Sequence, residues 1–161
     1  MTTTDSYPIL RLPPRIKILE ALGCIADGRI KMLSDREALV ISSEGTRKYY
    51  VYVDLERGLA YSNDNGTKFK KYIGYPIIAF LMLRNAVTFD ENLARSLSGI
   101  PWKKLNETYK RYSIVETIIL QEVKSKGINE SFIQEFVDRV IKELAQLKLR
   151  YIEMASPDDL L

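Results

Sequence analysis

Residues 47–62, RKYYVYVDLERGLAYS, decide the fold class. Successive side chains of a strand point to opposite sides, so Tyr49, Val51 and Val53 share one face and Lys48, Tyr50 and Tyr52 the other. Leu55–Gly58 interrupts that alternation and reverses the chain into a second run, Leu59–Ser62. Working outward, the same β-prone texture extends from Arg29 to Ile73. The predicted strands are Arg29–Leu33, Ala38–Ser42, Arg47–Val53, Leu59–Ser62 and Thr67–Ile73, with a further reversal at Glu44-Gly45. Asn65-Gly66 supplies the positive-φ pair of a tight hairpin, which predicts Thr67–Ile73 as the antiparallel neighbour of Leu59–Ser62.

Both flanks read as helix. Pro13 and Pro14 suit the opening of a helix in which Ile16, Leu19, Leu22, Cys24 and Ile25 recur near the helical period until Asp27-Gly28 stops it. After Gly74, Pro76 opens an apolar run, Ile77–Leu83, that predicts a buried central helix. Three hydroxyl residues stand three positions before a carboxylate or amide, Thr88 with Glu91, Ser113 with Glu116 and Ser131 with Gln134, and predict three capped helix starts. Ser34 with Glu37 has the same spacing but lies between strand-like runs. In the last helix Ile133, Val137, Val140, Leu144, Leu147 and Tyr151 form one stripe, widened by Phe132, Phe136 and Ile141; it is read as lying on the core, with a coiled-coil dimer as the alternative.

The fold class is therefore α+β: an N-terminal helix, an antiparallel β-meander of about five strands, then a C-terminal helical bundle. The 161 residues are read as a single domain, with residues 1–74 and 75–161 as the alternative subdomains. Hydrophobic residues make up 46% and charged residues 28%, the balance of a folded chain. Abundant Lys, Glu and Ile with scarce Gln matches thermophile proteins. The longest apolar stretch has seven residues, too short to span a bilayer, so no membrane partner is expected. Met1–Ser6 has neither a basic nor an apolar segment of a secretory leader, and the expected location is cytoplasmic.

Chemistry is narrowed by absences. The chain has no histidine, which removes Ser-His-Asp and Cys-His catalysis and the common zinc sites. Cys24 is the only cysteine, excludes an internal disulfide, and sits among Leu22, Gly23 and Ile25 as a small buried hydrophobe. Neither GxxxxGK[ST] nor GxGxxG occurs, and no RNP signature is present. Asp54, Glu56 and Asp64 could gather around Mg²⁺, but carboxylates at turns more often serve the turn itself. The expectation is a non-enzymatic binding protein without cofactor or metal.

A candidate binding surface comes from charge. Residues 1–64 carry nine cations and nine anions, residues 65–112 nine and three, and residues 113–161 six and nine, so the net +3 conceals a basic middle. Within it, Phe89–Leu97, the Ser98-Gly99-Ile100 turn and the helix opened by Pro101 resemble a helix-turn-helix in outline. The turn glycine falls one position later than in the usual DNA-binding form. The candidate nucleic-acid contacts are Lys68, Lys70, Lys71, Arg95, Lys103, Lys104, Lys110 and Arg111. Phe69, Tyr72, Trp102, Tyr109 and Tyr112 are interleaved as possible stacking surfaces or as packing. The alternative is a protein partner, docked through the last helix and the acidic tail Pro157-Asp158-Asp159-Leu160-Leu161.

Overall fold

The computed structural model describes residues 6–154. Helix α1 (Ile16–Ala26) follows the proline pair and ends where Gly28 takes φ +66. Every residue from Ile16 to Cys24 is buried, so the helix is enclosed on all sides and its two charged residues, Lys17 and Glu20, are enclosed with it. Strands β1 (Ile30–Met32), β2 (Glu37–Ile41), β3 (Lys48–Asp54) and β4 (Leu59–Ser62) follow as an antiparallel meander. Ala38 pairs with Val51 and Val40 with Tyr49, which sets Ala38, Val40, Val51 and Val53 in the core. Ser34 and Glu37 form a turn bond of 3.0 Å between β1 and β2, and no helix starts there.

The expected hairpin at Asn65-Gly66 does not form. Asp64 adopts extended backbone and accepts a hydrogen bond from the Thr67 amide at 3.1 Å, capping a short helix, α2 (Asn65–Lys68). An aspartate N-cap satisfies a backbone donor that a turn would leave open, and here it outcompetes the Asn-Gly hairpin signal. The Tyr72 ring then occupies the space beside Gly66, where a Cβ would stand 2.4 Å from it. The sheet's fifth strand is instead β5 (Arg150–Tyr151), parallel to β4, with Leu59 opposite Arg150 and Ala60 opposite Tyr151. The sheet order is β1-β2-β3-β4-β5.

Five helices separate β4's end from β5 once α2 is passed: α3 (Tyr75–Leu83), α4 (Glu91–Ser96), α5 (Trp102–Tyr109), α6 (Tyr112–Ser125) and α7 (Glu130–Leu147). Pro76 to Met82 of α3 are all buried, the expected central helix. The helix starts fall close to expectation, but other residues cap two of them and the third has no side-chain cap. Asp90 caps α4 by accepting from the Leu93 amide at 2.9 Å, while Thr88 donates its hydroxyl to Glu143 of α7 at 2.8 Å. Asn129 caps α7 by accepting from the Ser131 amide, and α6 starts at Tyr112 with no side-chain cap. In α7, Ile133, Phe136, Val137, Val140 and Leu144 are buried against the body of the protein. Lys148 enters the left-handed region and ends the helix, so Tyr151 leaves the stripe and joins the sheet. One contiguous core includes residues on both sides of Gly74, from Leu10 to Tyr151. Among the described residues no helix is long and apolar enough to cross a membrane.

Candidate functional site

A cavity of about 510 Å³ opens where α1, the β2–β3 loop, the α2 turn and α5 converge. Lys17 and Glu20, 9% and 3% exposed, contribute to it from an otherwise apolar helix. Their i,i+3 spacing places them on one side of α1, and Lys17 Nζ lies 3.1 Å from Glu20 Oε1. Lys17 also lies 4.8 Å from the centre of the Tyr112 ring. Burial works to lower the Lys17 pKa, but the Glu20 carboxylate and Tyr112 outweigh it and hold the ammonium above its ordinary range. Glu20 Oε1 accepts a second bond, from Asn106 Nδ2 of α5 at 3.0 Å.

Asp64 is the third buried ionisable group on the cavity, at 7% exposure. Its Oδ2 caps α2, and its Oδ1 has no hydrogen-bond partner. The carboxyl lies so close over Gly74 that a Cβ there would stand 2.2 Å from Oδ2. Burial raises the Asp64 pKa, against hydrogen bonds from Ser62 and Thr67 and the charge of Lys17. Aromatic rings complete the lining. Tyr49 and Tyr75 meet edge to face at 6.3 Å, and the Arg29 guanidinium stands 5.9 Å from the Tyr75 ring centre. Burial raises the phenol pKa values of Tyr49, Tyr72 and Tyr75. Three buried ionisable groups on one concave site, with a carboxylate oxygen left unbonded, are costly to the fold.

The structure gathers three of the expected contact residues at this cavity: Lys70 from the α2 turn, Lys103 from α5, and Lys110, which ends α5 in the left-handed region. Lys103 is partnered by Glu44 at 3.5 Å and Glu107 at 4.0 Å. Arg47, exposed on the β2–β3 loop, joins them. The other candidates do not line the cavity. Lys71 turns its ammonium onto the Lys68 carbonyl and over the Tyr151 ring, and Lys68 lies 5.9 Å from the Phe69 ring centre. Lys104 is exposed on α5 away from the cavity, Arg111 precedes α6, and Arg95 pairs with Glu91 at 3.6 Å. In all, six cations and three carboxylates line the cavity, an excess that favours an anionic ligand.

The helix-turn-helix outline places its two helices as α4 and α5, with Gly99 at φ +77 between them. Leu93, Ala94, Leu97, Ile100 and Trp102 are buried, and the Trp102 indole rests against Gly23 of α1. Asp27 at the end of α1 accepts from the Ser98 hydroxyl and the Gly99 amide, both at 2.8 Å, and pins the turn. Lys103 and Asn106 of α5, with Lys110 at its C-terminal cap, consequently border a concavity.

Asp54, Glu56 and Asp64 are separated. Asp54 is buried, accepts from the Arg57 amide at 3.1 Å and faces Arg36 at 3.9 Å, whereas Asp64 belongs to the cavity. Among the described residues no group of three or more acidic or cysteine side chains is placed to hold a metal ion. Cys24 is buried and its thiol pKa is pushed up to about 12, chiefly by desolvation. The apolar stripe of α7 is taken up by the core, with Phe132 at its margin 43% exposed. The tail 157–161 lies outside the described residues.

Sequence reasoning overlooked Lys17, Glu20 and Arg47. A charged pair at i,i+3 inside an apolar helix was a readable signal for the first two. A family model described as Uncharacterised conserved protein UCP014422 matches residues 10–150. No curated protein and no solved structure matches the chain.

Proposed function

We propose that this chain, which belongs to the UCP014422 family, is a nucleic-acid-binding module that holds an unpaired strand across the mouth of the α1–α5 cavity. One observation carries the reading: Arg47, Lys70 and Lys110 come from three separate segments, are exposed, form no ion pair among the described residues, and border one cavity. Convergent cations of this kind neutralise phosphates, and a concave mouth suits a single strand better than a duplex groove. Phe69, between Lys68 and Lys70, is 72% exposed, an unusual position for a phenylalanine and a suitable platform for a stacked base. Packed on α1, the α4–turn–α5 unit acts as the rigid support for Lys103 and Lys110. The role is binding rather than catalysis, in the cytoplasm, in keeping with one buried cysteine and no histidine.

The test is fluorescence anisotropy with a labelled single-stranded RNA and a duplex of matched length. If three cations meet phosphates, the log–log salt slope on the single strand is about −2. The triple variant Arg47→Glu, Lys70→Glu, Lys110→Glu keeps its circular dichroism spectrum and loses binding at physiological salt. Equal binding by the triple variant, or none by the wild type in low salt, refutes the reading.

A further inference from the structure

The three mouth cations stand on anchored backbone. Ser42 closes the β2–β3 loop, donating its amide to the Arg47 carbonyl at 2.9 Å and accepting from the Arg47 amide at 3.1 Å. Arg11 holds the turn after α2, donating its amide to the Lys71 carbonyl at 2.8 Å and its guanidinium to the Lys70 carbonyl. Lys110 ends α5 at φ 57, its amide bonded to the Asn106 carbonyl at 3.0 Å. Less freedom is lost on binding when the backbone is already fixed. The other cations of the cavity are compensated from within the protein. Lys17 lies 3.1 Å from Glu20, and Lys103 lies 3.5 Å from Glu44 and 4.0 Å from Glu107. Arg29 faces Asp27 at 3.7 Å and donates to the Ile41 carbonyl at 2.7 Å. The charge left over is that of Arg47, Lys70 and Lys110.

These cations are gathered from three walls of one cavity, the β2–β3 loop, the α2 turn and the end of α5, rather than strung along one element. Lys17, Glu20, Asp64, Tyr72 and Trp102 are buried and form its inner wall, and about 510 Å³ is the size of a small-ligand site. A surface that tracks a strand through its length presents cations along the path of the backbone. Cations gathered at one concavity suit a single group of high charge. A phosphomonoester at the end of a strand has about −1.5 to −2 charges at neutral pH and three free oxygens, whereas each diester inside a strand has a single charge. We infer that the mouth recognises the phosphorylated end of the strand, with the terminal phosphomonoester held by Arg47, Lys70 and Lys110 and the first base stacked on Phe69, the exposed neighbour of Lys70. This deepens the nucleic-acid reading and rests on its assignment of the mouth to phosphate. The phosphomonoester comes from the 5′ end of a strand, from its 3′ end, or from a free nucleotide.

The experiment is fluorescence anisotropy with a short oligouridine labelled at an internal base and prepared in four forms: 5′-phosphorylated, 3′-phosphorylated, hydroxyl at both ends, and circular. Calorimetric titration with UMP accompanies it. The expected result is a phosphorylated strand bound about tenfold tighter than the hydroxyl-ended and circular strands, the gain of one further hydrogen bond to a charged group. Lys70→Gln and Lys110→Gln each remove that preference, and Lys104→Gln, at an exposed position of α5 that does not line the cavity, retains it. All three positions are exposed, so the variants keep the native circular dichroism spectrum. Preference for one end supports the inference and names the end, and equal preference for both ends supports a site that reads the phosphate alone. UMP binding that weakens in Lys70→Gln and Lys110→Gln, without any strand binding, supports the phosphomonoester site and refutes the unpaired-strand reading. Equal binding of the four strands overturns the inference and leaves the strand lying across the mouth. An end preference that survives both substitutions also overturns it. Absence of all binding overturns both readings.

Discussion

Removing one member of the Lys17–Glu20 pair should cost more stability than removing both. At 3.1 Å, with an effective dielectric constant of about 20, the charge attraction is about 5 kcal/mol, set against the desolvation of two ions that are almost wholly enclosed. Lys17→Met leaves Glu20 charged, buried and without its counter-ion, a situation that costs about 3–5 kcal/mol. For a chain of this length that lowers the unfolding midpoint by roughly 6–20 °C. Glu20→Gln strands the Lys17 ammonium in the same way and has a loss of similar size. The double variant retains an acceptor for Asn106 and leaves no buried charge at either position, so it should unfold within about 1 kcal/mol of the wild type. Thermal and urea unfolding followed by circular dichroism, on all four proteins at neutral pH, give the comparison. If Lys17→Met loses less than about 1 kcal/mol, or the double variant loses the sum of the two singles, the pair is not a coupled buried unit and the reasoning fails.

Asp64 gives the fold a pH dependence of definite sign. Because burial raises its folded pKa above the ordinary 3.8, the folded chain retains a proton that the unfolded chain releases. Its contribution to stability therefore declines as pH rises from the ordinary aspartate value through the folded one, and Asp64→Asn should flatten that part of a urea-midpoint series. An unchanged slope in the variant refutes the assignment. Gly74→Ala should lose about 1–3 kcal/mol through the 2.2 Å approach of its Cβ to Asp64, since φ −75 and ψ 166 at Gly74 suit any residue. In an Asp64→Ala background the same change should cost little, and a full loss there would show that the contact is not the cause.

The meander was legible because Val51 and Val53 alternate with Tyr50 and Tyr52, and α3 because seven apolar residues follow Pro76 without interruption. The fifth strand was not, because a strand of two residues, Arg150–Tyr151, has no period to read and continues the apolar stripe of α7. Asn65-Gly66 misled because Asp64, one residue earlier, competes for the same backbone as a helix cap. Lys70, Lys103 and Lys110 stood out through local charge. Arg47 did not, because it lies in a segment whose charges cancel, and only the convergence of the β2–β3 loop on α5 brings it to the cavity.

The placement of β5 ties the two ends of the described chain together. Tyr151 donates its amide to the Pro8 carbonyl and Leu10 donates to Leu149, both at 2.8 Å, while the Arg150 guanidinium reaches the Tyr7 carbonyl, 143 positions away, at 2.7 Å. In chain order the partners of Leu59 and Ala60, Arg150 and Tyr151, are made long after β4, so one side of β4 has no strand to pair with until they are synthesised. A nascent chain in that state exposes the strand edge that invites pairing with a neighbouring polypeptide. Joining the two ends of the described chain through a linker and reopening it at the exposed Gly127 turn would put β5 ahead of β4 in synthesis order. Such a permutant would have β5 already made when β4 is synthesised, so that edge of the sheet would have its partner at hand.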